Sequence, residues 1–301
     1  MNKLDIPKIR KEKPIEELIN FGILNIDKPS DCTSFDVVNY IRRLLNLPKC
    51  GHGGTLDPMV TGVLPIFLGN ACKIQEYFMH RNKVYIGKMK LHKEISEKQL
   101  KEAMKKFLGV INQLPPRISR VKRQLRKREI IEFKLLEYDK TKKEASFIAE
   151  VEAGTYIRKL IDDLGKNLGI GAQMIELRRT KAGIFSDKDK EFCNIEKFKD
   201  AVEEYKNGKE EKLRKLIIPA EIISELLPVI EVKSDSIVKL QNGSPLFESM
   251  ICEDNYKEAI KIIGADKSFI ISRDNRIIEI AKKTEQFENQ EILAKPEVVL
   301  K

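Results

Sequence analysis

Apolar and polar positions along the chain fall into two periods. Alternation is clearest in "KVYIGKMKL" (83–91), where Tyr85, Gly87, Met89 and Leu91 share one side of a predicted strand. It recurs in "EIIEFKLLEY" (129–138) and "EASFIAEVEA" (144–153), whose connector "DKTKK" predicts a hairpin. The short apolar runs "FGILNI" (21–26) and "VLPIFL" (63–68) predict buried strands. Helical spacing takes over elsewhere. Val37, Val38, Ile41, Leu44 and Leu45 follow a T-x-x-D capping box from Thr33 to Asp36. Ser96 predicts the cap of a helix that stops at Gly109. In "GTYIRKLIDDLGKNLG" (154–169) a stripe of Ile157, Leu160, Ile161, Leu164 and Leu168 predicts an amphipathic helix ending at Gly169. "AQMIELRR" predicts a second short helix after it.

Strands and helices do not alternate strictly, which excludes a doubly wound parallel sheet. The order predicts an α+β domain on a mixed, largely antiparallel sheet with flanking helices. A charged helical stretch, "EKLRKLIIPAEIISELL", leads to Pro228. After it "VIEVK", "SIVKL", "SFIISR", "IIEIA" and "EVVLK" predict a small all-β module. The expected division is a basic arm over 1–14, ordered only if it docks, a large domain over 15–227 and the small module over 228–301.

Composition narrows the function classes. No uninterrupted apolar run approaches the ~18 residues needed to span a bilayer. The N-terminus lacks the apolar stretch of a secretory signal, so a cytoplasmic protein is expected. The five cysteines form no CxxC pair, and no second pair completes a metal site around Cys50 and His52. They read as reduced thiols, with no structural metal. The net charge of +10 is concentrated in "RISRVKRQLRKRE" (117–129), where Glu129 is the lone acid. A solvated charged face mixes signs. This run does not, and it favours nucleic-acid contact.

One short stretch, "GHGGTLDP" (51–58), fits none of three familiar loop chemistries. It lacks the Gly-Lys-Ser/Thr end of a P-loop and the third glycine of a dinucleotide fingerprint. It offers one carboxylate, Asp57, where a glycosidase needs two. Pro58 pushes Asp57 toward extended backbone, and the glycines admit a closely approaching chain or ligand. Taken alone, Asp57 reads first as a turn residue.

A wider resemblance changes that reading. "GHGGTLDPMVTGVLPIFLGNACK" resembles the signature of the TruB family of RNA pseudouridine synthases. "ILNIDKPSDCTSFDVV", with Lys28 and Pro29, resembles that family's first motif. "EAGTYIRKLIDDLG" and "GIGAQMIELRRTKAG" resemble later motifs in the same order. "LPPRISRVKRQLRKREI" and "MKLHKEI" are similar to the archaeal and eukaryotic branch, the dyskerin-type subunit of H/ACA guide ribonucleoproteins. Bacterial members carry a thumb-like insertion there instead.

The resemblance implies conversion of uridine to pseudouridine in RNA, mainly ribosomal RNA, without a cofactor. It makes Asp57 the catalytic carboxylate, either attacking C1′ or taking the C2′ proton. Arg158 is implied as its partner, holding the acid ionised in a site closed to water. Tyr85 is implied to stack on the turned base, with a proton role for its hydroxyl left open. Tyr156, Ile157 and Leu177 match positions lining the uracil pocket, though core packing explains them nearly as well. His52 matches a contact to the flipped nucleotide rather than an acid or base. Lys122, Arg123 and Arg126, with Arg178 and Arg179, are the expected RNA-binding side chains.

A PUA-like RNA-binding domain is implied for the small module. "NGSPLF" keeps Gly243 at the family's glycine turn, whereas "ESMI" replaces the usual Pro-Gly and "ISRDNRIIEIAKK" lacks the usual glycine. Implied partners are a guide RNA, the substrate RNA, a small zinc-ribbon protein, a glycine-arginine-type β-barrel protein and a kink-turn binder. The alternatives are a stand-alone transfer-RNA pseudouridine-55 synthase and a non-catalytic RNA scaffold. A membrane role lacks the amphipathic anchor it would need.

Overall fold

The computed structural model describes residues 3–115, 122, 124–265, 267–284 and 292–300. Its elements begin with helices α1 (Ile6–Glu12) and α2 (Ile15–Asn20), then strand β1 (Gly22–Lys28) and helix α3 (Ser34–Leu44). Strands β2 (Cys50–His52) and β3 (Thr61–Leu68), helix α4 (Gln75–Met79), strand β4 (Lys83–Leu91) and helix α5 (Glu97–Lys105) follow. Next come β5 (Gly109–Gln113), β6 (Arg126–Asp139), β7 (Glu144–Val151), α6 (Ile157–Asn167), β8 (Ala172–Ala182) and β9 (Phe185–Ser186). Helices α7 (Ile195–Lys206) and α8 (Glu211–Leu216) precede β10 (Ile217–Pro219) and β11 (Val229–Glu231). The chain closes with α9 (Ile237–Gln241), β12 (Leu246–Phe247), α10 (Tyr256–Gly264), β13 (Phe269–Arg273), β14 (Arg276–Lys283) and β15 (Ile292–Val299).

Two compact units emerge. One holds Leu24–Phe67 and Phe78–Leu216, and the other holds Met1–Ile23, Leu68–Tyr77 and Ile217–Lys301. Their limits do not coincide with linear boundaries at 14 and 228.

The first unit is built on a mixed, largely antiparallel sheet with strands in the order β1-β3-β8-β4-β7-β6-β5. β3 and β8 run parallel, while β4 pairs antiparallel with both β7 and β8. The alternation of β4 becomes a burial alternation, with Tyr85, Gly87, Met89 and Leu91 on the buried side. That side packs on α5 and α6 through Leu100, Met104, Leu160, Ile161 and Leu164. The expected capping box at Thr33 and the expected cap at Ser96 both form, the second also as a box. Thr33 and Asp36 exchange bonds at the start of α3, as do Ser96 and Gln99 at the start of α5.

Four expectations fail locally. "AQMIELRR" is strand β8, not a helix. Its residues are good helix formers, but Ala172 to Ala182 pair along the whole of β4, and that ladder outweighs propensity. Helix α5 ends at Lys105, not Gly109, and Gly109 opens β5. "EKLRKLIIPAEIISELL" is helical only to Leu216, then becomes β10 and a 3-10 turn. "SIVKL" is helix α9, its β-branched residues notwithstanding.

In the second unit the strands run β11-β13-β14-β15-β12. Their core is Leu240, Leu246, Ile263, Phe269, Ile271 and Ala294 among others. The expected sheet is present, together with α9 and α10. The N-terminal stretch is not a bare arm. Asp5 caps α1 through the Lys8 N–H, Ile9 is buried, and Lys13 pairs with the buried Glu221 at 2.6 Å. Among the described residues no helix is long and apolar enough to cross a membrane.

Candidate active site

Asp57 lies between β2 and β3, and its neighbours in sequence are held tightly. The Ser34 hydroxyl, at the first position of α3, accepts from the Leu56 N–H at 2.9 Å and donates to the Leu56 carbonyl at 3.2 Å. On the other side, the Lys28 ammonium donates to the carbonyls of Pro29, Cys32 and Pro58 at 2.7, 2.8 and 3.0 Å. The Asp31 N–H adds a bond to Pro58. Lys28 is fully buried, and desolvation pulls its pKa down despite nearby acids. The Val60 N–H closes the turn on the Asp57 carbonyl at 3.0 Å.

The second wall comes from α6. Tyr156 is its N-cap residue and has no side-chain cap of its own. Gln113, buried at the end of β5, instead bonds both backbone groups of Tyr156, whose carbonyl also accepts from the Leu160 N–H. Its Oε1 accepts from the Tyr156 N–H at 2.7 Å, and its Nε2 donates to the Tyr156 carbonyl at 3.1 Å. Arg158, two residues on, meets Asp57 in a direct ion pair. A cation in the first turn opposes the helix dipole, so it needs such a partner.

The pair is not sealed from water. The Arg158 and Asp57 side chains are 47% and 46% exposed. This corrects the expectation of a site that the chain alone closes. Beneath it Leu56, Val60, Tyr85 and Ile157 belong to one apolar cluster, with Leu177 packed against it. Tyr85 is 8% exposed. It sits on β4 opposite Ala149 and Arg179, and Leu177 faces Gly87 two pairs along. The structure thus joins Asp57 to Arg158 and gathers Tyr85, Ile157 and Leu177 in the apolar cluster that holds Leu56, with Tyr156 next to Ile157 in sequence.

His52 is half-buried and accepts the Gly54 N–H through Nδ1 at 3.3 Å. Desolvation, and then the Arg179 guanidinium, push its pKa down. That leaves a neutral ring with its proton on Nε2, a donor rather than an acid.

Two of the arginines expected to meet RNA already have partners within the protein. Arg179 is 1% exposed and serves the loop from inside, donating to the carbonyls of Val63 at 2.8 Å and Gly54 at 3.0 Å. Gly62 makes room for the Arg179 backbone, its partner across the β3–β8 pair, while Gly54 lies beside the guanidinium. Both have positive φ, and a Cβ on Gly62 would lie 2.2 Å from the Arg179 carbonyl oxygen. Arg178 forms a bidentate pair with Asp27, both contacts 2.9 Å, and lies over the Phe192 ring, so its guanidinium is already engaged. In "RISRVKRQLRKRE", Lys122 is exposed and Arg126 begins β6, while Arg123 lies outside the described residues. The sequence reading also missed Ser34, Gln113 and Lys83. Lys83 is buried, donates to the Met79 and Arg81 carbonyls, and has its pKa lowered to about 8 by desolvation and then Arg179. Only the polar Gln113 in front of an apolar "LPP" hinted at a specific bond.

The chain is similar to known proteins in both sequence and fold. The model for TruB family pseudouridylate synthase (N terminal domain) matches residues 42–157, and that for the tRNA pseudouridylate synthase B C-terminal domain matches 158–224. A probable tRNA pseudouridine synthase B of Pyrococcus abyssi is 42% identical over 236 residues, 78% of this chain and 70% of that one. Its counterpart in Methanopyrus kandleri is 43% identical over 237 residues, 78% and 69% of the two chains. In a crystal structure of a Cbf5-Nop10-Gar1 complex, a chain 35% identical superposes with a TM-score of 0.82 over 96% of this chain and 88% of that one. In an H/ACA RNP bound to a substrate RNA containing 2′-deoxyuridine the TM-score is 0.81, with 32% identity over 97% and 89% of the chains. The chain therefore belongs to the TruB family of pseudouridine synthases, enzymes that isomerise uridine in RNA.

Proposed function

We propose that this chain is the catalytic subunit of an RNA-guided, H/ACA-type particle, with Asp57 as its catalytic carboxylate. The observation that supports the guided reading is the extent of the likeness. Chains from H/ACA complexes match 96% to 97% of this one, including the C-terminal module. A guide would pair with the substrate, so the protein need not read sequence itself. Substrate RNA laid over the half-open Asp57–Arg158 pair would supply the cover that the chain lacks.

The chemistry follows from one ion pair. The N1–C1′ bond of uridine breaks, the uracil turns, C5 joins C1′, the C5 proton leaves and N1 gains one. The product is an isomer, so atoms and electrons balance without a donor. Asp57 either attacks C1′ or removes the C2′ proton, and the ion pair with Arg158 keeps it aimed. Flipping the uridine costs a few kcal/mol, and one aromatic platform returns about 1–3 kcal/mol. Tyr85 provides it. Tyr156, Ile157 and Leu177 line the base, the His52 Nε2–H contacts the nucleotide, and Lys122, Arg123 and Arg126 meet phosphates. Residues 228–301 act as a PUA-like module gripping the guide. Companions of the zinc-ribbon, glycine-arginine β-barrel and kink-turn-binding types complete the particle.

The curated names of its relatives favour a second reading, a transfer-RNA synthase that works without a guide. Pseudouridine assays on guided RNA and on naked transfer RNA separate the two. Product from guided RNA alone supports the particle, and product from naked transfer RNA alone overturns it.

A further inference from the structure

We propose that Ser34 and Gln113 are positioning residues for the isomerisation, each setting one half of the Asp57–Arg158 pair through the backbone. This rests on the reading of that pair as the reacting site.

The two residues work alike. Each is almost wholly buried, at 1% and 2% exposure. Each uses one side chain to bind both the N–H and the C=O of a single residue, Leu56 for Ser34 and Tyr156 for Gln113. The Leu56 carbonyl belongs to the peptide that carries the nitrogen of Asp57. The Tyr156 carbonyl belongs to the first peptide of α6, one residue before Arg158. Binding both groups of one residue fixes the peptide planes on either side of it.

Packing cannot do this work. Asp57 and Arg158 are both about half exposed, so no close-fitting wall surrounds either. Their attraction alone leaves the pair free to move together. Burying a hydroxyl and a primary amide is costly unless they are bonded. Here the side-chain bonds of both go to the two residues that lead into the pair. Gln113 also stands in register with Arg126, the start of β6.

The test uses the full chain with its active RNA, carrying tritium at C5 of the target uridine, under single turnover and saturating protein. Variants are Ser34→Ala, Ser34→Thr and Gln113→Met, each alone and Gln113→Met also in an Arg158→Ala background. A misplacement of a reacting group by about 1 Å can cost about a hundredfold in rate. Ser34→Ala and Gln113→Met are expected to slow tritium release by about tenfold or more, with RNA affinity within about twofold of wild type. Ser34→Thr, which keeps the hydroxyl, restores most of the rate. Without Arg158, Gln113→Met costs less than about twofold, because its effect runs through that residue. Should Gln113→Met unfold, Gln113→Glu, which keeps the acceptor for the Tyr156 N–H and loses the donor, is held to the same outcomes. Full rates in folded variants, an equal loss with and without Arg158, or a loss that tracks RNA affinity would overturn the proposal. Asp57→Asn run alongside separates the two claims. If it stays active the carboxylate reading fails. If it is dead while Ser34→Ala and Gln113→Met are fast, only the positioning claim fails.

Discussion

Asp57 and Arg158 show how exposure changes the value of an ion pair. Were both buried, removing one partner would cost about 3–5 kcal/mol. Their side chains are 46% and 47% exposed, and water screens an exposed pair to about 0–1 kcal/mol. Arg158→Ala should therefore melt within a few degrees of wild type and yet lose most of its turnover. Thermal melts beside a pseudouridine assay check this, and wild-type turnover would remove Arg158 from the site. Tyr85 presents the opposite case. At 8% exposure it belongs to the core as well as to the proposed platform. Tyr85→Ala should cost about 3–5 kcal/mol of stability in addition to activity, by analogy with large aromatic truncations. Tyr85→Phe keeps the ring and should stay folded and active. An inactive, stable Tyr85→Phe would assign the chemistry to the hydroxyl.

At the scale of elements, β14 carries a charge problem. Glu279 is fully buried opposite Ile271 and Val299, and neither carboxylate oxygen has a hydrogen-bond partner among the described residues. Desolvation pushes its pKa up to about 8. The folded module then holds a proton that the unfolded chain releases at much lower pH. Its stability is fullest in acid and falls as pH rises toward about 8. Melts between pH 5 and pH 9 should show this decline, and Glu279→Gln should flatten it. An unchanged slope in the variant would exclude Glu279 as the cause.

Elements also show what the sequence could reveal. The caps at Thr33 and Ser96, the alternation of β4 and the β6–β7 hairpin were legible because each is specified within a few residues. β8 was not, because its helix-forming residues become a strand only through pairing with β4. The same divide runs through the site. Asp57 and Arg158 carry motif signals, whereas Ser34 and Gln113 act on residues 22 and 43 positions away. Arg179 looked like a surface cation because sequence gives charge but not direction. Its guanidinium turns inward to the carbonyls of Val63 and Gly54, partners far away in sequence.

For the whole molecule, a basic run, a half-open ion pair and a separate C-terminal module fit a protein completed by RNA. Phosphate contacts should make RNA affinity fall steeply with salt. Replacing Lys122 and Arg126 with alanine should lower affinity and flatten that slope while leaving the bound-state rate nearly unchanged. An unaltered slope would place the RNA elsewhere. The most direct measurement is pseudouridine formation by wild type and by Asp57→Asn, with and without guide RNA. Asparagine preserves shape and removes only the charge. The account predicts guide-dependent product from wild type, and normal RNA binding with no product from the variant. Product from Asp57→Asn at a rate near wild type would contradict it.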